Sequence, residues 1–146
     1  MTILYFDTCA LAKRYYREPG HRRVKQLVGN KANHIAFSDI GIIEMSSVLH
    51  KKVRQQELTD ENAKLRLSRF FVDIEDRYNI LPSTNNYLNN ALGYVRKHDL
   101  STLDSIHFAT AVKADRNTSN FIFVSADKEL INAAKAENMN FVNPDP

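Results

Sequence analysis

The sequence predicts an α/β domain in which a short parallel sheet lies between helices on both faces. Short apolar runs of strand length, such as TILYF near the start and FIFVS near the end, alternate with longer segments of helical apolar spacing. Glycine and proline number only four each, too few for a barrel or sandwich built from many tight turns. No repeat, low-complexity tract or linker interrupts the pattern. At 146 residues, with 43% hydrophobic and 25% charged composition, the chain is expected to form one domain over residues 1–146 with a core of its own.

Each element has its own signal. TILYF reads as a short buried strand, and TCALAKRYYRE after it as a helix stopped by Pro19 and Gly20. HRRVKQLVGN is a second helical run. HIAFS is the next strand, leading into DIGIIEMSSVLHKKVRQQ, which is helical in its apolar spacing. TDENAKLRLSRFFVDIEDRY opens on a capping Thr59 with acids in its first turn, then carries Leu65, Leu67, Phe70, Phe71 and Ile74 along a mostly apolar side. NILP is a weak strand, and TNNYLNNALGYVRKHD and STLDSIHFATAVKAD are helices. FIFVS is the clearest strand, DKELINAAKAEN a last helix, and MNFVN an edge strand. In parallel sheets of this kind, ligands bind outside the carboxyl ends of the strands.

Composition removes several function classes. The lone cysteine, Cys9, allows neither an internal disulfide nor a metal site built on cysteine pairs, and it suits a reducing cytosol. No apolar run has the length of a membrane span, and no secretory signal pattern opens the chain, so a cytoplasmic location is expected. Five histidines occur without HExxH or another paired metal spacing, which argues against a zinc hydrolase. The formal charge is +3, with basic residues gathered at Arg14 and Arg17, in HRRVK at 21–25 and in HKKVR at 50–54. These are either solvated helix faces or contacts for a polyanion.

Most of the 17 acids lie in polar company. Four do not. Asp7 ends ILYF, Glu44 interrupts IGIIEMSSVL, Asp104 lies in TLDSIHFATA, and Asp127 follows FIFVS. Each aspartate has a structural reading: Asp7 as an N-cap, Asp104 in a capping box with Ser101, Asp127 at a helix dipole. Glu44 has no cap role and shares a helix face with Ile40 and Val48, where an unpaired carboxylate is costly. The joint reading is a carboxylate cluster for Mg²⁺ or Mn²⁺, since hard cations take oxygen ligands and relieve repulsion among the acids. With the basic runs, that points to phosphodiester hydrolysis.

The stretches YFDTCALAKRYYREPG, SDIGIIEMSSVLHK, LSTLDSIHFATAV and FVSADKELINAA, ending in FVNP, resemble the PIN-domain family, specifically the VapC-type toxin ribonucleases of toxin–antitoxin pairs. The resemblance spans nearly the whole chain and implies a PIN-like three-layer fold. It implies that Asp7, Glu44, Asp104 and Asp127 form the acidic quartet that binds Mg²⁺ or Mn²⁺, with Thr8 and Ser125 as supporting hydroxyls. It further implies endoribonuclease activity, commonly on tRNA or ribosomal RNA, a homodimer, and a cognate antitoxin that silences the enzyme. Cys9 stands where serine is frequent in the family, and Asp127 matches the acid that varies most. Arg14 and Arg17 are candidate RNA contacts; His107, one turn after Asp104, is expected to pack or hydrogen-bond. Tyr15, Tyr16, Phe70 and Phe71 are expected to be mostly core or interface residues. A haloacid-dehalogenase-type phosphatase would need an acid where Cys9 stands, and a receiver domain would need paired acids after the first strand. A non-catalytic PIN-like RNA-binding or scaffold protein is the remaining alternative.

Overall fold

The apolar run after Met1 forms β1 (Thr2–Phe6), and its side chains alternate between two cores as strand geometry requires. Leu4 and Phe6 enter one core and Tyr5 the other. In this computed structural model, which describes the backbone of all residues and every side chain except those of residues 85–87, β1 is the central strand. It pairs in parallel with β2 (Asn33–Ser38) on one side and β4 (Phe121–Val124) on the other, with Leu4 opposite both Ile35 and Ile122. β3 (Tyr78–Leu81) adds outside β2, and the two-residue β5 (Phe141–Val142) outside β4. The order is β3-β2-β1-β4-β5, parallel throughout, so every connection crosses over the sheet and the helices cover both faces.

On one face lie α1 (Thr8–Ala12), α2 (His21–Gly29), α3 (Ile40–Arg54) and α4 (Asp60–Asp76). Their Leu11, Val24, Val28, Met45, Leu49 and Phe70 close over Leu4, Phe6, Ile35 and Phe37. On the other lie α5 (Asn85–His98), α6 (Thr102–Arg116) and α7 (Lys128–Ala136), where Phe108, Leu130 and Ala134 meet Tyr5, Phe121 and Phe123. This is the expected three-layer α/β architecture. Among the described residues, no helix is long and apolar enough to cross a membrane.

Two local expectations change. The helix expected over TCALAKRYYRE ends at Ala12. Beyond it the chain tightens into i→i+3 bonds, with the N–H groups of Lys13, Arg14 and Tyr15 donating to Ala10, Leu11 and Ala12. Lys13 turns inward there, donating to the Pro19 carbonyl at 2.9 Å and pairing with Asp145 at 2.9 Å. In α4 the apolar side is narrower than expected. Ala63, Leu67, Phe70 and Ile74, spaced for one helical face, pack on the core, whereas Leu65 and Phe71 point to solvent at 49% and 46% exposure. Thr59 does cap this helix, accepting from the Asn62 N–H at 3.1 Å.

Candidate active site

The chain builds outward from β1 through β2 to β3, then returns to the other side of β1 with β4. The segments leaving β1 and β4 therefore go to opposite faces, and a crevice opens between the two strand ends. Asp7 and Asp127 enter from either side of it. Asp7 is 4% exposed; its Oδ1 accepts from the Ala10 N–H at 2.7 Å, and its Oδ2 accepts from the Ser125 hydroxyl in a short hydrogen bond. Ser125 also accepts from the Asp127 N–H at 3.0 Å, and Asp127 Oδ1 caps α7 by accepting from the Leu130 N–H at 3.0 Å. The fully buried Ser125 thus couples the two aspartates across the crevice.

Glu44 arrives from α3. A Cβ on Gly41 would lie 2.8 Å from the Phe37 ring and 3.2 Å from Thr8 Oγ1, so only glycine lets the first turn of α3 come this near. One turn on, Glu44 Oε1 accepts from the Thr8 hydroxyl at 3.0 Å. The same oxygen makes a short hydrogen bond with His107 Nε2. His107 is 1% exposed and bridges three elements, with Thr8 Oγ1 at 3.2 Å from Nε2 and the Tyr5 hydroxyl at 3.1 Å from Nδ1. A carboxylate oxygen can only accept, so the Glu44 contact fits Nε2 as the donor, and Nδ1 of a neutral imidazole is then the acceptor for the Tyr5 hydroxyl. The histidine is therefore the hydrogen-bonding one expected, and it holds Glu44. Asp104 sits half-buried in the first turn of α6, its N–H donating to Ser101 Oγ at 3.3 Å.

Charge is unbalanced here. Burial pushes the Asp7 carboxyl up to about 6, against the hydrogen bonds from Ser125 and Ala10 and the pull of His107, and the negative charge of Asp104 adds to the rise. Asp104 is raised too, by burial first and then by Asp127 and Glu44. Desolvation, then the charges of Asp7, Glu44 and Asp104, lift the Cys9 thiol at the rim to about 11, so it stays protonated and is no thiolate ligand. Among the described residues, neither Asp7, Asp104 nor Asp127 has a Lys or Arg ion pair.

The donors are carboxylates and hydroxyls, a set that fits a hard divalent cation and not a thiophilic one. Among the described residues, no group of three His, Cys, Asp or Glu side chains is drawn together tightly enough to hold an ion alone. A Mg²⁺-type ion does not require one, since it keeps several waters and takes substrate phosphate oxygens alongside one or two carboxylates.

The arginines behave differently from the acids. Arg14 turns away, its Nε 3.1 Å from Asp73 in α4, and Arg17 lines a separate cavity with His21 and Lys25. The cations nearest the crevice are Lys13, Lys51 and Lys52, which line a groove of about 440 Å³ with Cys9 and Asp127. Of these, the HKKVR cluster signalled the last two, and nothing in the sequence singled out Lys13.

The family model of the PIN domain matches residues 4–136, the span that carries all four acids and both core layers. The chain belongs to the PIN domain family. Solved structures share this PIN fold at low identity. VapBC2 from Rickettsia felis, bound to a DNA fragment from its promoter, is 17% identical with a TM-score of 0.65, covering 97% of this chain and 98% of its own. FitAcB from Neisseria gonorrhoeae is 17% identical at 0.66, covering 97% of each. VapC20 of Mycobacterium tuberculosis, a sarcin–ricin loop cleaving toxin, is 16% identical at 0.65, covering 89% of this chain and 94% of its own. No curated protein matches the chain. PIN-domain nucleases generally use divalent metal ions, in keeping with the oxygen donors of this crevice.

Proposed function

We propose that this PIN domain, one domain over residues 1–146, is a VapC-type toxin: a Mg²⁺- or Mn²⁺-dependent endoribonuclease held silent by a cognate antitoxin. The carrying observation is Asp7, a buried carboxylate at the crevice without a Lys or Arg partner, tied through Ser125 to Asp127 and raised by burial and by the charge of Asp104. Asp7, Glu44, Asp104 and Asp127 would hold the ion. Bound there, it would neutralise charge on the scissile phosphate and lower the pKa of the attacking water. The chain's part is positional. Ser125 keeps Asp7 and Asp127 in register, and Thr8 and His107 fix one oxygen of Glu44 and leave the other without a protein hydrogen bond among the described residues. In-line attack by water would leave a 5′-phosphate and a 3′-hydroxyl. The solved structures of similar fold include several toxin–antitoxin complexes, which supports an antitoxin as partner; the homodimer and the cytoplasmic setting rest on the sequence resemblance alone. VapC20, a sarcin–ricin loop cleaving toxin, supports ribosomal RNA as the substrate class, and tRNA rests on the sequence resemblance alone.

The test is cleavage of total cellular RNA by antitoxin-free protein in Mg²⁺, Mn²⁺ or EDTA, with new 5′ ends mapped and Asp7→Asn as control. Cuts at a few positions that need metal and vanish in the control are expected. Metal bound at the acids with no RNA cut would instead favour the non-catalytic RNA-binding reading.

A further inference from the structure

A cluster of positive charge lies away from the carboxylates. A pocket of about 150 Å³ opens where α2 faces α4 over the turn that follows α1, and Arg14, Arg17, Lys25, Arg66 and Arg69 line it beside Tyr15, with no acid in its wall. So many like charges repel one another unless something negative lies between them. Arg14 has Asp73, but among the described residues Arg17, Lys25, Arg66 and Arg69 form no ion pair. Arg66 Nε is buried with no hydrogen-bond partner, a donor stripped of water that the chain does not satisfy. A small pocket ringed by guanidinium forks fits an anion with several oxygens, above all a phosphate.

The pocket is one end of a path. Arg17 and Lys25 also line the adjoining cavity of about 940 Å³. Glu18 is shared between that cavity and the groove where Lys13 and Lys52 stand beside Cys9 and Asp127. Shared lining residues thus link the groove beside the acidic crevice to Arg66 and Arg69, through a cavity where Arg22 and Arg23 also stand and where Glu18 and Asp145 are the acids.

We propose that this path carries the backbone of single-stranded RNA, and that the pocket of Arg17, Lys25, Arg66 and Arg69 anchors one of its phosphates at a distance from the bond that is cut. The proposal rests on the ribonuclease reading for its substrate. RNA is favoured over an acidic peptide because it repeats the same charged group along its length. One strand can thus meet Lys51, the groove lysine that forms no ion pair among the described residues, and the arginines of the pocket with identical chemistry.

The experiment is fluorescence-anisotropy binding of a labelled single-stranded oligouridylate to the full chain in EDTA across a salt series, paired with steady-state cleavage in metal. The double variant Arg66→Gln, Arg69→Gln should weaken binding by about tenfold or more, and should flatten the slope of log K against log salt by about 0.7 for each phosphate that the variant no longer neutralises. In cleavage its KM should rise while kcat holds, and Arg66→Lys, Arg69→Lys should recover most of the affinity. Wild-type affinity and slope in the glutamine variant would overturn the path while leaving the ribonuclease reading intact. A variant that binds RNA normally but loses poly-glutamate would overturn it in favour of an acidic protein segment. Arginine-dependent RNA binding by a chain that cleaves no RNA would sustain the path and refute the ribonuclease reading.

Discussion

Asp7 and Asp73 are both drawn into the protein beside strand ends, and the fold treats them in opposite ways. Asp73, in α4 near the start of β3, gathers Arg14 Nε at 3.1 Å, the Tyr15 hydroxyl at 2.5 Å and the Tyr78 hydroxyl at 3.5 Å on one oxygen. Asp7, at the far end of the sheet, has a backbone N–H, a serine hydroxyl and no cation in contact. The first carboxylate's phenol partners are themselves packed, Tyr15 edge-on against Phe70 and Tyr78 edge-on against Phe37; open crevice and the charge of Asp104 adjoin the second. A carboxylate that serves stability is given its counter-ion inside the chain. One that is buried and left short of positive charge is held in an unfavourable state, which is where functional groups concentrate.

That contrast breaks most sharply in activity. Asp7→Asn should lower RNA cleavage by about a thousandfold or more while circular dichroism stays native. Full activity at the same metal concentration would remove Asp7 from the site. Asp73→Ala should do the reverse, costing about 2 kcal/mol in denaturant unfolding because Arg14 loses its counter-ion and the Tyr15–Tyr78 hydroxyl pair, 2.6 Å apart, loses its shared acceptor. Its kcat per folded molecule should not move; a collapse of kcat at unchanged stability would mean that the two regions are not separate in function.

Acidity sharpens the same comparison. Asp7 holds its proton to about 6 in the folded chain against 3.8 as a free carboxyl, so the folded state binds the proton more tightly. The stability linked to that proton is fully present below pH ~4 and is lost as pH rises through about 6, an amount on the order of 3 kcal/mol. In EDTA, wild type should therefore lose stability relative to Asp7→Asn between those values, and parallel pH profiles for the two proteins would sink the argument. The smallest effect is expected one residue pair deeper. Tyr5→Phe removes the donor to His107 Nδ1 and should cost about 1 kcal/mol of stability. It should also weaken Mn²⁺ binding severalfold through Glu44; unchanged Mn²⁺ affinity would show that His107 holds its place without Tyr5.

Much of the fold was legible because its signals are local. FIFVS and TILYF are apolar runs of strand length, and Thr59 precedes two acids, so β4, β1 and the start of α4 follow from windows of a few residues. The same locality explains the misjudged ends. The tight turn that ends α1 at Ala12 accompanies the contacts of Lys13 with Pro19 and with Asp145, near the other end of the chain, and Leu65 and Phe71 are apolar without facing the core. At the site, the cap readings of Asp7 and Asp127 describe real hydrogen bonds and do not compete with a ligand role, since each carboxylate can cap a helix and still present charge to the crevice. His107 was visible as a neighbour of Asp104 in sequence; that it serves Glu44 instead was not.

By itself the sequence determined the alternation of strands and helices, the placing of acids at the ends of two strands, and the basic character of the first two helical segments, because periodicity and neighbouring residue type are written along the chain. Only the tertiary structure decided that Ser125 joins Asp7 to Asp127, that Gly41 lets Glu44 reach Thr8, and that Arg14 turns to Asp73 and the arginines of α4 rather than to the acids. Those meetings depend on the order β3-β2-β1-β4-β5, which brings residues more than a hundred positions apart side by side. Pairing at that range is settled by how whole faces bury one another, and no short stretch of residues carries that information.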